Sequence, residues 1–262
     1  MAAQFGNRFK TALQGGGRLQ GAWSMSNSPT VVEALGHVGA DYVVLDLEHS
    51  PTSIHGMLPL LMAADAAGCP PVVRMPDHSR TNVKHALDLG ANSLMFPFVE
   101  TAEEARALVD ACLYPPHGRR GFSRLNRASR YLADAGYLDR AKDDVLVVPQ
   151  LESEAAVGRL EEIATVPGVG AIFIGPGDLA ASLGLLGQVT HARVKEMLAD
   201  CGRRASKLGV PIGTVLPDAE QAAWAFQQGY SFVAVGNDLA SIVTTGRKAQ
   251  ADLRALREKA GG

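Results

Sequence analysis

Residues 41–51 read DYVVLDLEHSP, and this stretch indicates how the chain folds. An apolar run ends abruptly in Asp46, Glu48 and His49, and Pro51 then stops it. The run is apolar on both faces, which is typical of a parallel strand that is covered on both sides. The question is why a strand built for a core delivers two carboxylates and an imidazole at its end.

Similar short apolar runs recur along the chain, and an amphipathic segment rich in Ala and Leu separates each from the next. Helix-start signals support this alternation: Ser28 before Pro29 predicts a capping hydroxyl, and Thr101 with Glu104 predicts a capping box. The apolar runs read LQGAW, DYVVLDLE, PPVVRM, SLMFPFV, VLVVPQLE, AIFIG, PIGTVL and SFVAVG. About eight such units close a (β/α)8 TIM barrel. The rival, a doubly wound open sheet, is disfavoured because a Gly-rich dinucleotide fingerprint is missing.

The whole chain, residues 1–262, is predicted to be one barrel domain, because no linker or low-complexity segment divides it. Residues 113–138 (LYPPHGRRGFSRLNRASRYLADAGYL) interrupt the rhythm and are too long for a simple connection, so we expect a lid or pocket wall there. The amphipathic C-terminal segment, residues 241–259, suits packing either on its own barrel or on a neighbouring subunit.

Composition excludes several classes of partner. The formal net charge is −2, and the basic residues are scattered, so no nucleic-acid or anionic membrane surface is expected. Cys69, Cys112 and Cys201 are too few and too far apart for a disulfide framework or a zinc site. No apolar run is long enough to span a bilayer. These features predict a soluble, cytoplasmic protein.

Polar residues gather where the predicted strands end, which is where (β/α)8 barrels place their active sites. The next strand after His49 ends in Arg74, and a later one ends in Gln150 and Glu152, whose like parity points them to one side. Asp178 follows a Gly-Pro-Gly turn after the sixth strand. Each group also has an ordinary explanation as a helix cap or surface charge. Their coincidence on one rim favours function without deciding it.

Carboxylates from adjacent strands, without clustered His or Cys, form a hard oxygen site suited to Mg²⁺ or Mn²⁺. The Gly175–Gly177 turn could seat a substrate carboxylate, so an α-keto acid fits, and Arg74 could stabilise its enolate oxygen. A Schiff-base mechanism would need a lysine on a strand. No predicted strand carries one, and no organic cofactor is expected; the lysines fall in predicted helices or, for Lys10 and Lys142, in flanking segments.

At this point the sequence resembles the HpcH/HpaI family of metal-dependent, pyruvate-forming class II aldolases. The combination of D-x-E-H, V-R, Q-x-E and G-P-x-D-L is highly specific, and the matches run in family order across nearly the whole chain. The matching segments are GAWSMSNSP, DYVVLDLEHSP, PPVVRM, LDLGANSLMFPFVETAEEA, YPPHGRRGFS, VPQLESEAA, GVGAIFIGPGDLAASLG and FVAVGNDL.

The resemblance implies a substrate site with a divalent metal, Mg²⁺, Mn²⁺ or Co²⁺, bound by Glu152 and Asp178. Gln150, Gly177 and Asp178 would contact the pyruvyl part of the substrate, the glycine through its backbone. Gly177 stands where many relatives have Ala or Ser, which changes pocket volume without removing a functional group.

The resemblance also implies the acid–base groups. His49 would be the general base, Asp46 would orient it, and Arg74 would face the keto oxygen. Asp88 matches an acid that reaches the histidine of a neighbouring subunit, so a homotrimer or hexamer is expected. Glu48 matches the family pattern and is expected to lie outside the groups that touch substrate.

The implied reaction is reversible cleavage of a 4-hydroxy-2-keto acid, either a keto-deoxy sugar acid or 4-hydroxy-2-oxoheptanedioate, into pyruvate and an aldehyde. A related lyase acting on an acyl-CoA or phosphoenolpyruvate substrate is one alternative, and a non-catalytic keto-acid-binding barrel is the other. Four arginines of the irregular segment either read the aldehyde part or face solvent or a neighbouring subunit; they are Arg119, Arg120, Arg124 and Arg127.

Overall fold

The computed structural model describes residues 6–260 of the chain. Strands and helices alternate along these residues, as the sequence predicts. The strands are β1 (Leu19–Ser24), β2 (Tyr42–Asp46), β3 (Pro71–Arg74), β4 (Ser93–Phe96), β5 (Leu146–Leu151), β6 (Ile172–Ile174), β7 (Ile212–Leu216) and β8 (Phe232–Val235). The helices are α1 (Arg8–Gln14), α2 (Pro29–His37), α3 (Met57–Ala66), α4 (Arg80–Asp88), α5 (Ala102–Cys112), α6 (Tyr137–Asp144), α7 (Glu154–Gly158), α8 (Leu160–Ala164), α9 (Pro176–Ser182), α10 (Ala192–Leu208), α11 (Ala219–Gln227) and α12 (Asp238–Ala260).

The strands form a closed barrel in sequence order, with every neighbouring pair parallel. The barrel closes where Leu19 of β1 pairs with Phe232 of β8. The predicted (β/α)8 TIM barrel is therefore confirmed. Because all eight strands run the same way, their carboxyl ends meet at one rim, and the polar residues that follow them are brought together there.

The core has two layers, one inside the barrel and one between the barrel and its helices. Aromatic rings fill the lower interior, where Phe9 of α1 packs on Tyr42 and Phe232 at centroid distances of 4.8 and 5.4 Å. Because α1 closes that end with apolar side chains, the opposite rim is where polar groups can face solvent.

One of the two predicted helix caps forms. The Thr101 hydroxyl accepts from the Glu104 N–H at 3.2 Å, and the Glu104 carboxylate accepts from the Thr101 N–H at 3.1 Å, which is the predicted capping box. Ser28 does precede a helix with proline at its first position, but its side chain makes no cap hydrogen bond, so that prediction is wrong. The Ser28 N–H instead faces the Ser26 hydroxyl at 3.4 Å.

The lysines of the described residues lie in helices, and the cysteines are buried. None of the eight described strands carries a lysine, and Lys10 and Lys142, expected in flanking segments, lie in α1 and α6. The three cysteines are free and buried. Of the helices within residues 6–260, none combines the length and apolar character that a membrane crossing requires.

The irregular segment, which spans residues 113–136 before α6 begins, does not cover the rim of its own barrel. Arg120 pairs with Asp88 at 2.6 Å, and Arg127 pairs with Asp65 at 2.6 Å. Both acids lie in the last turns of their helices, just before a strand begins, which is the opposite end of the barrel. Of the lid or pocket wall expected for this segment, a lid over this subunit's own rim does not form in the described residues, because ion pairs hold the segment at the opposite end, and a role as pocket wall stays a prediction.

Helix α12 leaves the barrel after its first turn. Residues 241–260 are exposed throughout, including Ile242, Leu253 and Leu256. Of the two roles expected for this segment, packing on its own barrel does not occur in the described residues. Packing on a neighbouring subunit stays a prediction.

Candidate active site

Strand register brings the first catalytic candidates together. Asp46 ends β2 and Arg74 ends β3, and the two residues are direct partners in the parallel ladder. Arg74 donates through Nε to Asp46 Oδ1 at 3.0 Å and through Nη2 to Asp46 Oδ2. Its third nitrogen, Nη1, lies 2.8 Å from Glu48 Oε2. The guanidinium is thus gripped by two carboxylates, and it is buried to 6% exposure.

The two acids that hold Arg74 have pKa values shifted in opposite directions. Burial alone would raise the pKa of Asp46, but the hydrogen bonds and charge of Arg74 outweigh burial and hold the pKa below its usual range. Burial raises the pKa of Glu48, with Asp46 and Asp178 adding to the rise and Arg74 opposing it. Glu48, which we expected outside the groups that touch substrate, is therefore in direct contact with Arg74 and electrostatically coupled to Asp178.

His49 stands at the edge of this cluster. Asp46 Oδ1 accepts from the His49 backbone N–H at 3.3 Å, so the carboxylate fixes the main chain of His49 rather than its ring. The ring is 56% exposed, and its Nε2 lies 3.9 Å from Glu48 Oε2. Within this subunit the expected orienting contact from Asp46 to the imidazole is absent, and Glu48 is the nearer acid.

Glu152 lies across the rim and is almost fully buried. Its Oε2 accepts from the Phe98 backbone N–H at 3.0 Å, and its Oε1 accepts from Gln150 Nε2 at 2.6 Å. Burial raises the pKa of Glu152 to about 8, and the negative charges of Glu48 and Asp178 reinforce the rise. The predicted parity of Gln150 and Glu152 is confirmed by the direct hydrogen bond between them.

Asp178 enters from the first turn of α9, directly after the glycine turn that ends β6. It is half-buried and acts electrostatically on both Glu48 and Glu152. Gly175 of the turn packs closely against the acid cluster: a Cβ there would lie 2.3 Å from Glu152 Oε1. A Cβ at Gly177 would meet nothing within 4 Å. The turn thus brings Asp178 to Glu152 because position 175 has no side chain.

The donor chemistry of this cluster fits a hard divalent cation. Four carboxylates (Asp46, Glu48, Glu152 and Asp178) surround one guanidinium, Arg74, so negative charge is in excess. Gln150 Oε1 is buried and accepts no hydrogen bond. Oxygen donors at this density suit Mg²⁺ or Mn²⁺. Within residues 6–260, no three His, Cys, Asp or Glu side chains are arranged as a metal-ligand group, so the fit rests on the predicted two-carboxylate pair, Glu152 and Asp178.

Two residues of the site were missed by the sequence analysis. Trp23, at the end of β1, donates from Nε1 to Asp46 Oδ2 at 3.3 Å, and its ring centroid lies 4.8 Å from the Arg74 guanidinium carbon. The strand-end rule that found Arg74 could have found it. Phe98 binds Glu152 through its backbone at a positive φ of 50°. A backbone contact of this kind has no sequence signal.

Asp88 does not reach the rim of its own barrel. Its carboxylate accepts from Arg120 at 2.6 Å and from Asn126 at 3.3 Å, at the opposite end of α4 from the strand ends that carry Arg74. The structure therefore brings together Asp46, His49, Arg74, Gln150, Glu152, Gly177 and Asp178 at one rim. It leaves Asp88 outside that group within the subunit.

Known proteins are similar to this chain in both sequence and fold. A family model for HpcH/HpaI aldolase/citrate lyase matches residues 19–245. A 2-dehydro-3,6-dideoxy-6-sulfogluconate aldolase from Pseudomonas putida is 42% identical over 224 residues, 86% of this chain and 88% of that protein. A 5-keto-4-deoxy-D-glucarate aldolase from Escherichia coli is 40% identical over 235 residues, 90% of this chain and 92% of that one.

A solved HpcH/HpaI family protein from Burkholderia cenocepacia superposes with a TM-score of 0.89 at 36% identity, covering 95% of this chain and 99% of its own. The family match includes every strand of the barrel and every rim residue described above. The chain therefore belongs to the HpcH/HpaI aldolase/citrate lyase family, and it is a carbon–carbon lyase, a class II aldolase that forms pyruvate.

Proposed function

We propose that this aldolase reversibly cleaves a keto-deoxy sugar acid, a 4-hydroxy-2-keto acid, into pyruvate and an aldehyde. The relatives from Pseudomonas putida and Escherichia coli are both named for substrates of this kind. One observation in the structure supports the proposal most: Arg74, gripped by Asp46 and Glu48, stands beside carboxylates whose charge a single guanidinium cannot balance. Such a site suits a cation and a keto acid together.

In this proposal Glu152 and Asp178 hold the divalent ion, Mg²⁺, Mn²⁺ or Co²⁺. The family as a whole depends on divalent metals. When bound, the cation supplies positive charge that polarises the keto acid and favours its enolate. Gln150, the Gly177 backbone and Asp178 contact the pyruvyl part, and the buried, unpaired Gln150 Oε1 supports a role in binding.

The chain's own groups then move one proton and one electron pair. His49, directly or through water, takes the proton of the C4 hydroxyl, and the C3–C4 bond breaks to release the aldehyde. The electron pair of that bond stays on the pyruvyl fragment as its enolate. Arg74 donates hydrogen bonds to the enolate oxygen, and protonation at C3 gives pyruvate. The exposed ring of His49 supports this role, because it can exchange its proton with solvent.

The proposal includes a trimeric or hexameric assembly in the cytoplasm. Asp88 serves His49 of a neighbouring subunit in this arrangement, since it lies at the far end of its own barrel from His49. The exposed apolar side chains of α12 support packing against another subunit.

Proton exchange of pyruvate tests the enolate chemistry without any assumption about the aldehyde. In D₂O with Mg²⁺ or Mn²⁺, NMR should record loss of the pyruvate methyl protons, and chelation should stop it. Glu152→Gln should lose the exchange and bind Mn²⁺ weakly by electron paramagnetic resonance. The matched control is Glu161→Gln, whose carboxylate pairs with Arg204 on the outer helices. Absence of exchange with every divalent metal would refute the proposal.

Substrate class is tested by a panel in the cleavage direction, with pyruvate release as the readout. The panel contains keto-deoxy sugar acids, 4-hydroxy-2-oxoheptanedioate and a 4-hydroxy-2-keto acid that lacks a distal acid group. We expect the highest kcat/KM for a keto-deoxy sugar acid. A higher kcat/KM for 4-hydroxy-2-oxoheptanedioate would overturn this choice while leaving the aldolase chemistry intact.

A further inference from the structure

Asp238 is a buried carboxylate that the reaction described above does not use. It is the first residue of α12, just after the carboxyl end of β8, and it is 5% exposed. An acid at this position is favourable for any helix, because it faces the positive end of the helix dipole. Asp238 does accept from the Leu239 N–H at 2.8 Å, but most of its hydrogen bonds go elsewhere.

The other bonds of Asp238 hold the loop that follows β1. Its Oδ2 accepts from the Ser24 hydroxyl at 3.0 Å, from the Ser26 N–H at 3.1 Å and from the Ser26 hydroxyl at 2.6 Å. Its Oδ1 accepts from the Met25 N–H at 2.9 Å. Three consecutive residues are therefore tied to one carboxylate from the other end of the chain. The next residue, Asn27, has a positive φ of 53°, so the loop turns sharply just beyond the bonds.

This loop begins directly after Trp23, which touches two groups of the active site. The indole donates to Asp46 at 3.3 Å and lies against the Arg74 guanidinium at 4.8 Å. On its other side the ring packs on Phe173, with centroids 5.7 Å apart. A change in the backbone at Ser24 would shift the indole, and the guanidinium would then lose one of the three groups that position it, leaving Asp46 and Glu48.

We propose that Asp238 is a positioning residue for the aldol reaction: by clamping Ser24–Ser26 it holds Trp23 against Arg74 and so fixes the guanidinium for the enolate. The inference rests on the proposed role of Arg74. Asp238, which follows β8, binds the end of β1 through its side chain. The last and first strands of the barrel are thus joined by this contact as well as by the β-ladder.

Tryptophan fluorescence tests the clamp directly, because the chain has only two tryptophans. Trp224→Phe in α11 leaves Trp23 as the single reporter. In that background, Asp238→Asn should change the emission maximum of Trp23 and increase its quenching by acrylamide. It should also lower kcat for metal-dependent pyruvate proton exchange by about 10–100-fold, with KM changed less than kcat, because misplacing a catalytic group mainly affects the transition state.

The matched control is Asp218→Asn. Asp218 caps α11 by accepting from the Gln221 N–H, and asparagine caps a helix about as well as aspartate does, so this variant removes one acid at a helix start and leaves the clamp in place. It should leave Trp23 emission and proton exchange unchanged. Asp238→Glu, which keeps the charge, should recover part of the exchange rate lost in Asp238→Asn.

A purely structural role gives a different result. If folded Asp238→Asn melts at a lower temperature but keeps the emission of Trp23 and the exchange rate, Asp238 is only a helix cap and the proposal is wrong. Should that variant fail to fold, Ser24→Ala with Ser26→Ala removes two donors and leaves the acid. An unchanged Trp23 signal and exchange rate in this double variant would equally overturn the clamp. Failure of the proposed function is separate, because it would appear as normal exchange by Arg74→Ala.

Discussion

The two ends of the barrel use the same residue types in opposite ways. At the end away from the rim, two arginines of the irregular segment each pair with one acid: Arg120 with Asp88, and Arg127 with Asp65. At the rim, Arg74 alone faces several carboxylates, and two of them already share it. The matched pairs fix a long irregular segment to the barrel. Under the proposed function, the carboxylates that Arg74 does not bind are the ones available to a cation.

The two ends of the barrel therefore differ in their balance of charge rather than in the burial of charged residues as such. Burying an acid costs free energy unless a partner compensates it. At the rim the cost appears as the raised pKa of Glu152, about 8.

Arg74→Ala should remove the guanidinium that Asp46 and Glu48 share at the rim. We expect kcat for retro-aldol cleavage to fall by about 10²–10³-fold, as for loss of a donor to a developing oxyanion, measured by pyruvate release. Arg74→Lys should fail as well, because an ammonium cannot reproduce the planar contacts with Asp46 and Glu48. Arg204→Ala, which removes ion pairs with Glu161 and Asp200 on the outer helices, should stay within about twofold of the parent enzyme. Near-normal cleavage by Arg74→Ala would exclude it from catalysis.

Glu152→Gln should stabilise the metal-free protein as pH rises. The folded-state pKa of Glu152 is raised, so between about pH 4.5 and pH 8 the folded state binds more protons than the unfolded state. The parent protein therefore loses stability through this window, by at most about 1.4 kcal/mol per pH unit, and the variant does not. Urea unfolding with chelator at several pH values measures the difference. If the free energy of unfolding of Glu152→Gln fell relative to that of the parent protein as pH rises, the raised pKa of Glu152 would be contradicted.

Asp88→Ala should destabilise the opposite end. It leaves the buried Arg120 guanidinium without its carboxylate, and we expect a loss of about 1–3 kcal/mol in the free energy of unfolding. Arg120→Met should cost less, because Asp88 is partly exposed and keeps its hydrogen bond from Asn126. Denaturant titration of both variants gives the comparison. Equal losses in the free energy of unfolding would show that burial of the Arg120 guanidinium does not set the cost of breaking this ion pair.

Gly175→Ala and Gly177→Ala form a matched pair within the rim. A methyl group at position 175 would lie 2.3 Å from Glu152 Oε1 and must displace that carboxylate, whereas one at position 177 meets nothing within 4 Å. We expect Mn²⁺ affinity to fall about tenfold for Gly175→Ala, as for loss of an outer-shell partner, and to stay nearly unchanged for Gly177→Ala. Titration calorimetry with Mn²⁺ tests this. Equal Mn²⁺ affinities of the two variants would show that the Glu152 carboxylate does not bind the metal.

Much of the molecule could be predicted from local pattern. Short apolar runs alternating with amphipathic segments predicted the barrel, and the strand-end rule placed Asp46, Arg74, Gln150 and Glu152 at one rim. The same rule would have found Trp23 had it been applied to the first strand. Periodicity and strand polarity are local properties, so they survive in one sequence read without its fold.

Other features could not be predicted because they join distant parts of the chain. The expected contact from Asp46 to the His49 ring is replaced by the grip on Arg74, since β2 and β3 pair in a register that puts the two residues opposite each other. The irregular segment was expected to form a lid or pocket wall, and the sequence did not indicate that its arginines pair with Asp65 and Asp88 at the end away from the rim. Composition gives the charges of a segment and not the location of their partners.

The barrel, the direction of its strands and most of the groups at their carboxyl ends can be predicted from the sequence, because each depends on a pattern a few residues long. Tertiary structure alone decided which acids share Arg74, that Glu152 is buried with a raised pKa, and that Asp238 binds a loop more than 200 residues away. Electrostatic free energy depends on distance and on exclusion of water. Both are fixed only when the barrel closes.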